Sequence, residues 1–281
     1  MSRAKALRAA GKGLSVAALS VAGLPFVFPF WWMLTSAVKS PGDVFGRLSL
    51  LPSKCRWDNF AEIFSYQPFA RHYLNSLCIA AVVTAATILL ASLSGYAFAR
   101  VRFRGRSALF LVLLSSMMMP AEVTIIPNFF MMKQWRLIDT HVPLVILGVF
   151  GAQGAFSAFV MRQYFLSMPK ELEEAARIDG LGRLSTFARI ILPLATPAIS
   201  ATAILTALDA WNSFLQPLIF INDLNKFTLP LSLNNFRDAY GSPVWHLQMA
   251  ATAVSVIPIL LFYVCAQRKI INAMVFSGMK G

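Results

Sequence analysis

Charged side chains are scarce in this 281-residue chain: 13% are Asp, Glu, Lys or Arg, while 57% of the residues are hydrophobic. A soluble domain carries about 25% charged residues, so the deficit excludes an ordinary soluble fold and points to a membrane-embedded one. Cysteine is also rare. Cys55, Cys78 and Cys265 have neither disulfide-framework nor metal-site spacing. The histidines His72, His141 and His246 lie apart, each near an end of an apolar run, which fits interfacial side chains better than a metal site. A phosphate-binding loop is missing too. Gly11-Lys12-Gly13 comes nearest to G-x-x-x-x-G-K-[ST], but Ala6 stands where the first glycine belongs and Gly13 follows the lysine. There is no serine elbow, zinc motif or carboxylate dyad in one polar region. The chain is therefore expected not to be an enzyme.

What is abundant is apolar sequence. A membrane-crossing helix needs about 20 mostly apolar residues. Six stretches qualify, at about Leu14–Ala37, Tyr73–Phe98, Ala108–Pro127, Val142–Met161, Leu194–Ile219 and Trp245–Ala266. The first is too long for the 7–15-residue core of a secretory signal, and it contains Pro25, Pro29, Trp31 and Trp32; it reads as an uncleaved anchor. Small and weakly polar residues such as Thr84, Thr87, Ser92, Ser94 and Gly95 let the second span approach a neighbour closely.

The net charge of +13 is distributed as topology requires. Basic residues cluster at the N-terminus (Arg3, Lys5, Arg8, Lys12), between spans two and three (Arg100, Arg102, Arg104, Arg106), between spans four and five (Arg162, Lys170, Arg177, Arg183, Arg189) and in the tail (Arg268, Lys269, Lys280). Cytoplasmic loops retain such residues, so both ends and these two connections are expected inside. The first outer loop carries five more (Lys39, Arg47, Lys54, Arg56, Arg71), but spread over a longer stretch. Because topology accounts for most of the basic balance, no nucleic-acid partner is required. The expected fold is all-α: a polytopic membrane protein of six transmembrane helices, one domain over 1–281, with a cytoplasmic loop at about 162–193 and a tail at 267–281.

That loop carries a pattern. Pro169 suits a first helical position, and Glu171, Glu173 and Glu174 suit the positive end of a helix macrodipole. Glu173 and Arg177 stand four apart in the favourable order. Ala175 and Ala176 are helix formers of little bulk, and Gly180 can take the left-handed conformation that ends a helix. A second helical run is expected over about Leu184–Ile191, interrupted by Pro193. From pattern alone this is either a docking element or a surface helix linking two spans.

The spacing Glu174-Ala175-Ala176, three residues, Gly180, nine residues, Ile190, Leu192, Pro193 resembles the signature of permease subunits in bacterial ATP-binding-cassette importers. The likeness to the smaller permease of maltose-type and glycerol-phosphate-type systems runs from about the second span to the last residue. It implies that these seven residues form a coupling helix seated in a cleft of an ATPase. It further implies a bacterial cell membrane with its lipid, a second homologous permease, two ATPase subunits holding ATP and Mg, and an extracytoplasmic solute-binding protein. The implied cargo is a sugar, with glycerol-3-phosphate or a glycerophosphodiester as competitor. The tail residues Gly278, Lys280 and Gly281 are implied to reach the ATPase dimer, and the loop at Phe236–Pro243 to reach the binding protein.

Inside the spans, Asp209, Asn212, Ser213 and Gln216 follow i, i+3, i+4, i+7 spacing, one stripe of a helix. A carboxylate at membrane depth usually faces a cavity or a partner. The stripe reads as the lining of a translocation path or as hydrogen bonding between helices. Gln153 and Ser157 share a face of the fourth span as further path candidates. Pro120 and Pro127 are expected to bend or break the third span, and Glu122, beside Pro120, is expected at the outer mouth. A secondary transporter would also carry polar groups in broken spans, but would leave the cytoplasmic pattern unexplained.

Overall fold

A computed structural model describes the backbone of residues 2–46 and 50–278, and side chains over 18–45, 50–261, 263 and 264. Helix dominates, and no β-strand occurs among the described residues beyond one isolated bridge, Arg237 with Pro243. The main helices are α1 (Ser2–Ala37), α2 (Asn59–Tyr66), α3 (Phe69–Arg100), α4 (Arg106–Met118), α5 (Ala121–Gln134), α6 (Val142–Phe150) and α7 (Ala152–Ser167). They continue as α8 (Glu171–Ile178), α9 (Arg183–Leu194), α10 (Thr196–Asn212), α11 (Leu215–Phe220) and α12 (Trp245–Gly278).

By length and composition three helical stretches can cross a membrane: Ala18–Ala37, Phe69–Arg100 and Val142–Ser167. Two bent pairs raise that to five if each pair is one span: α4 with α5, turned by 102°, and α9 with α10, turned by 75°. The first bend sits at Pro120, whose missing N–H and fixed φ stop a helix. Pro127, by contrast, is carried inside α5. The Trp245–Leu261 segment is apolar but shorter. Large apolar side chains point outward along these helices, with Phe26 78% and Leu111 65% exposed, a surface that lipid, unlike water, tolerates.

The chain groups into two compact units. One comprises Met1–Gln67 and Leu233–Val256. In it the end of α1 is capped by the buried Asn59, whose Nδ2 donates to the carbonyls of Ala37 and Lys39 at 2.9 Å each. The Ala37 carbonyl is one that the end of α1 leaves without an intrahelical partner. Tyr66 stacks on Phe236 and its hydroxyl donates to the Arg237 carbonyl. Beyond Phe236 the chain forms a tight turn: Asp238 Oδ1 accepts from the amides of Tyr240 and Ser242, and Tyr240 is 94% exposed at its tip.

The other unit, Pro68–Ser232 with Ile257–Gly281, holds two apolar clusters. One joins Ala91, Ala158, Met161, Phe165, Phe187 and Ile191; the other joins Ile79, Val83, Met132, Leu144, Val149 and Phe220. A polar staple closes this unit between α5 and α6. Asp139, at φ 61°, accepts from the amides of Asp223 (2.9 Å) and Asn222 (3.0 Å) and from Lys226 Nζ (2.8 Å). The two amides and the ammonium hold its carboxyl at a pKa of about 2, below the ordinary 3.8. A depressed carboxylate stabilises the fold above its unfolded pKa and loses that contribution as pH falls through the folded value. The melting-temperature gap between wild type and Asp139→Asn should therefore be constant above about pH 4 and close towards about pH 2. A gap independent of pH over that window would refute the staple's ionic character.

Candidate functional site

The Glu174–Pro193 pattern folds as a helix, a reversal and a second helix. α8 starts at Glu171, two residues after Pro169, so the proline precedes the helix rather than opening it. Its outward face presents Glu174, Ala175 and Ile178, with Ile178 86% exposed, while Ala176 is buried. Gly180 sits at φ 81° and ends the helix, with its N–H on the Arg177 carbonyl and the Leu181 N–H on that of Ala176. This left-handed turn is the one the sequence called for. Leu184, across it, is 74% exposed, so two large apolar side chains flank the reversal.

The second helix departs from expectation. It runs through Pro193 to Leu194 and bends only at Ala195. The adjustment lies earlier, over Phe187–Ile191, where the helix widens to a π-turn and the Leu192 N–H reaches the Phe187 carbonyl. Pro193 has no N–H to continue an α-type ladder, and such π-turns are frequent at functional sites. Ile190 and Leu192 are partly buried, packed against the apolar cluster, and Pro193 is exposed.

Glu173 also differs from the sequence reading. Its carboxylate meets Arg100 Nε at 3.3 Å, at the end of α3, with the two side chains 18% and 7% exposed. No local spacing rule links positions so far apart, and sequence analysis missed the pair.

The intramembrane stripe needs correction. α10 ends at Asn212, and Ser213 is extended at φ −61°, ψ 118°. Gln216 belongs to α11. Pro217 explains the break: a continuous helix would drive its ring into the Ser213 carbonyl and leave that carbonyl without a donor. The four residues nevertheless converge. Asp209, Asn212, Ser213 and Gln216 line one cavity of about 1200 Å³ together with Gln153, Glu122, Thr124, Asn128 and Thr228. Its apolar wall includes Phe150, Phe156, Phe214, Phe220, Ile79 and Val83. Among the described residues that line it there is no Lys or Arg. Ser157 is not in the lining. It is fully buried and bonds to the Gln153 carbonyl at 2.8 Å and to Thr206 at 3.4 Å. Glu122, read from sequence as a residue of the outer mouth, lines this cavity too.

Of the tail residues, Lys280 and Gly281 lie outside the described residues, as does the side-chain environment of Gly278. Among the described residues no group of three or more His, Cys, Asp or Glu could hold a metal ion.

The profile of the family described as binding-protein-dependent transport system inner membrane component matches residues 87–275. The chain belongs to that family. This inner membrane component is a multi-pass membrane protein and the permease part of an ATP-binding-cassette system, not its ATPase. It is 34% identical over 231 residues to the arabinooligosaccharides transport system permease protein of Halalkalibacterium halodurans, spanning 82% of this chain and 81% of the relative. It is 30% identical to the trehalose/maltose transport system permease protein of Thermococcus litoralis over 91% and 92% of the two chains. Among solved structures it resembles a chain of a bacterial ABC transporter involved in the import of the acidic polysaccharide alginate. The TM-score is 0.80 at 22% identity, covering 95% of this chain and 98% of that one, which establishes the shared fold.

Proposed function

We propose that the chain is the membrane-spanning permease subunit of an ATP-driven, binding-protein-dependent sugar importer. It works beside a second homologous permease, on two ATPase subunits that hold ATP and Mg, and takes its cargo from an extracytoplasmic solute-binding protein. Residues 1–281 form one permease domain in the bacterial cell membrane, with both termini cytoplasmic. Six spans come from α1, α3, the bent pair α4–α5, the pair α6–α7, α10 and α12. The exposed face of α8 with Gly180, Ile178 and Leu184 is the coupling surface, since apolar side chains held in the open mark partner sites. The tail over 267–281 reaches the ATPase pair.

The observation that carries the sugar reading is the cavity. Amides, hydroxyls and phenyl rings suit a polyol, whose hydroxyls need donors and acceptors and whose C–H faces pack on rings. Asp209 and Glu122, with no described cation in the lining, disfavour glycerol-3-phosphate, because an unpaired anion beside carboxylates is costly to desolvate. In proteoliposomes with the partner subunits and the cognate binding protein, a neutral oligosaccharide such as maltotriose or arabinotriose should stimulate ATP hydrolysis several-fold and enter the lumen. Stimulation by glycerol-3-phosphate alone would refute the sugar reading. Active uptake by the isolated chain would favour a secondary transporter instead.

A further inference from the structure

We propose that Arg100 is the joint that delivers the movement of α8 to the membrane helices, a positioning residue for transport. The inference rests on the reading of α8 as the coupling helix and adds how its motion leaves the cytoplasmic surface. α8 has two faces. Glu174, Ala175 and Ile178 look outward, whereas Glu173 and Ala176 look inward. On the inner face Glu173 meets Arg100, and the pair is nearly closed off from solvent, at 18% and 7% side-chain exposure and 3.3 Å. It is an ion pair held at a fixed place. Sliding it apart would strand a charge in a poorly solvated site, which is far more costly than shifting one apolar contact over another.

Arg100 binds in a second direction. Its Nη2 donates to the Met168 carbonyl, 2.5 Å away, at the C-cap of α7. One guanidinium thus grips the start of α8 and the end of α7 while forming the last residue of α3. The planar guanidinium makes this possible, with Nη2 donating a hydrogen bond and the Nε edge holding Glu173 as an ion pair; an ammonium offers no such pair of directions. The end of α3 is fixed to α7 twice more. Arg162 Nε donates to the Phe98 carbonyl at 3.3 Å, and Gly95 lies so near that a Cβ there would stand 2.8 Å from Met161 Cβ.

The middle of the same helix reaches the cavity. α3 runs unbroken from Phe69 to Arg100, and its Ile79 and Val83 line the cavity wall. At 1.5 Å per residue, Val83 and Arg100 lie roughly 25 Å apart along the axis. A displacement of α8 arriving at Arg100 is therefore carried by α3 and α7 together to the wall beside the proposed path.

The test uses the complete transporter with its partner subunits and binding protein, in a background lacking Cys55, Cys78 and Cys265. Arg100→Gln and Glu173→Gln should assemble in normal amounts and still hydrolyse ATP, while cargo moved per ATP falls tenfold or more. Arg100→Lys should recover only part of it. In the double variant Arg100→Cys with Glu173→Cys, joining the thiols with a short bifunctional reagent should restore most of the lost coupling. A merely stabilising contact would raise the melting temperature on joining without changing cargo per ATP, and that result overturns the proposal. So does arrest of transport on joining, which would mean that α8 must move against α3. Glu174→Lys on the outer face runs in parallel. If it uncouples and Arg100→Gln does not, the joint is wrong and the coupling surface stands; if neither uncouples, both fall.

Discussion

Gly180→Pro is expected to lower coupled transport at least tenfold while the chain still inserts and assembles. The residue sits at φ 81°, whereas proline is confined near −65° and has no N–H. The substitution would remove the amide that now bonds the Arg177 carbonyl and redirect the chain between α8 and α9. Nothing lies within 4 Å of a Cβ built on Gly180, so the penalty is conformational and not a clash. That fixes an order across a series. Asparagine, which tolerates the left-handed region, should be mildest. Alanine should cost about 1–2 kcal/mol for the same backbone, and proline most. Cargo moved per ATP, measured at matched levels of assembled complex, should fall from glycine through asparagine and alanine to proline. Equal coupling for all four would show that the angle between the two helices is immaterial.

Gly95→Leu should abolish accumulation of folded protein, and Gly95→Ala should lower its melting temperature despite alanine's better helix propensity. A Cβ at this position would stand 2.9 Å from the Arg162 backbone nitrogen and 3.2 Å from the Ala158 carbonyl. Backbone cannot rotate aside as a side-chain tip can, so α3 and α7 would have to separate. Overpacking of this kind costs about 1–3 kcal/mol, more than the roughly 1 kcal/mol that alanine gains over glycine in a helix. Gly23 provides the control. It lies inside α1 with nothing within 4 Å of its Cβ, so Gly23→Ala should leave the melting temperature unchanged or raised. A Gly95→Ala protein as stable as Gly23→Ala would refute the close approach.

The two glycines mark what a sequence can and cannot disclose. Gly180 was legible because a helix end after Glu174-Ala175-Ala176 needs a left-handed residue, a rule local to a few positions. Pro120 was legible for the same reason, and a helix breaks there. Gly95 was legible only in kind: a small residue in a span permits approach, but which backbone approaches is decided by the fold. The Arg100–Glu173 pair was not legible, since nothing along the chain says that the end of one span meets the start of a helix beyond the next two. The local i, i+4 rule offered Arg177 as partner for Glu173 instead. At Ser213 a helical spacing rule misled, because the pattern continues evenly through a break that Pro217 imposes. Asp209, Asn212, Ser213 and Gln216 line one cavity across that break, and Ser157, on the same sequence criterion as Gln153, turned to packing.

The interruption at Ser213 also bears on the proposed sugar path. Where α10 stops at Asn212 and α11 begins at Leu215, the last carbonyls of one helix and the first amides of the next lack intrahelical partners. Residues on both sides of the gap line the cavity. Peptide groups at the break are expected to accept from and donate to hydroxyl groups in the cavity, a contribution that substitution of side chains leaves untouched. On the proposed sugar path, alanine scanning of this stretch should understate the affinity for a polyol, and replacing an amide by an ester linkage should expose the difference.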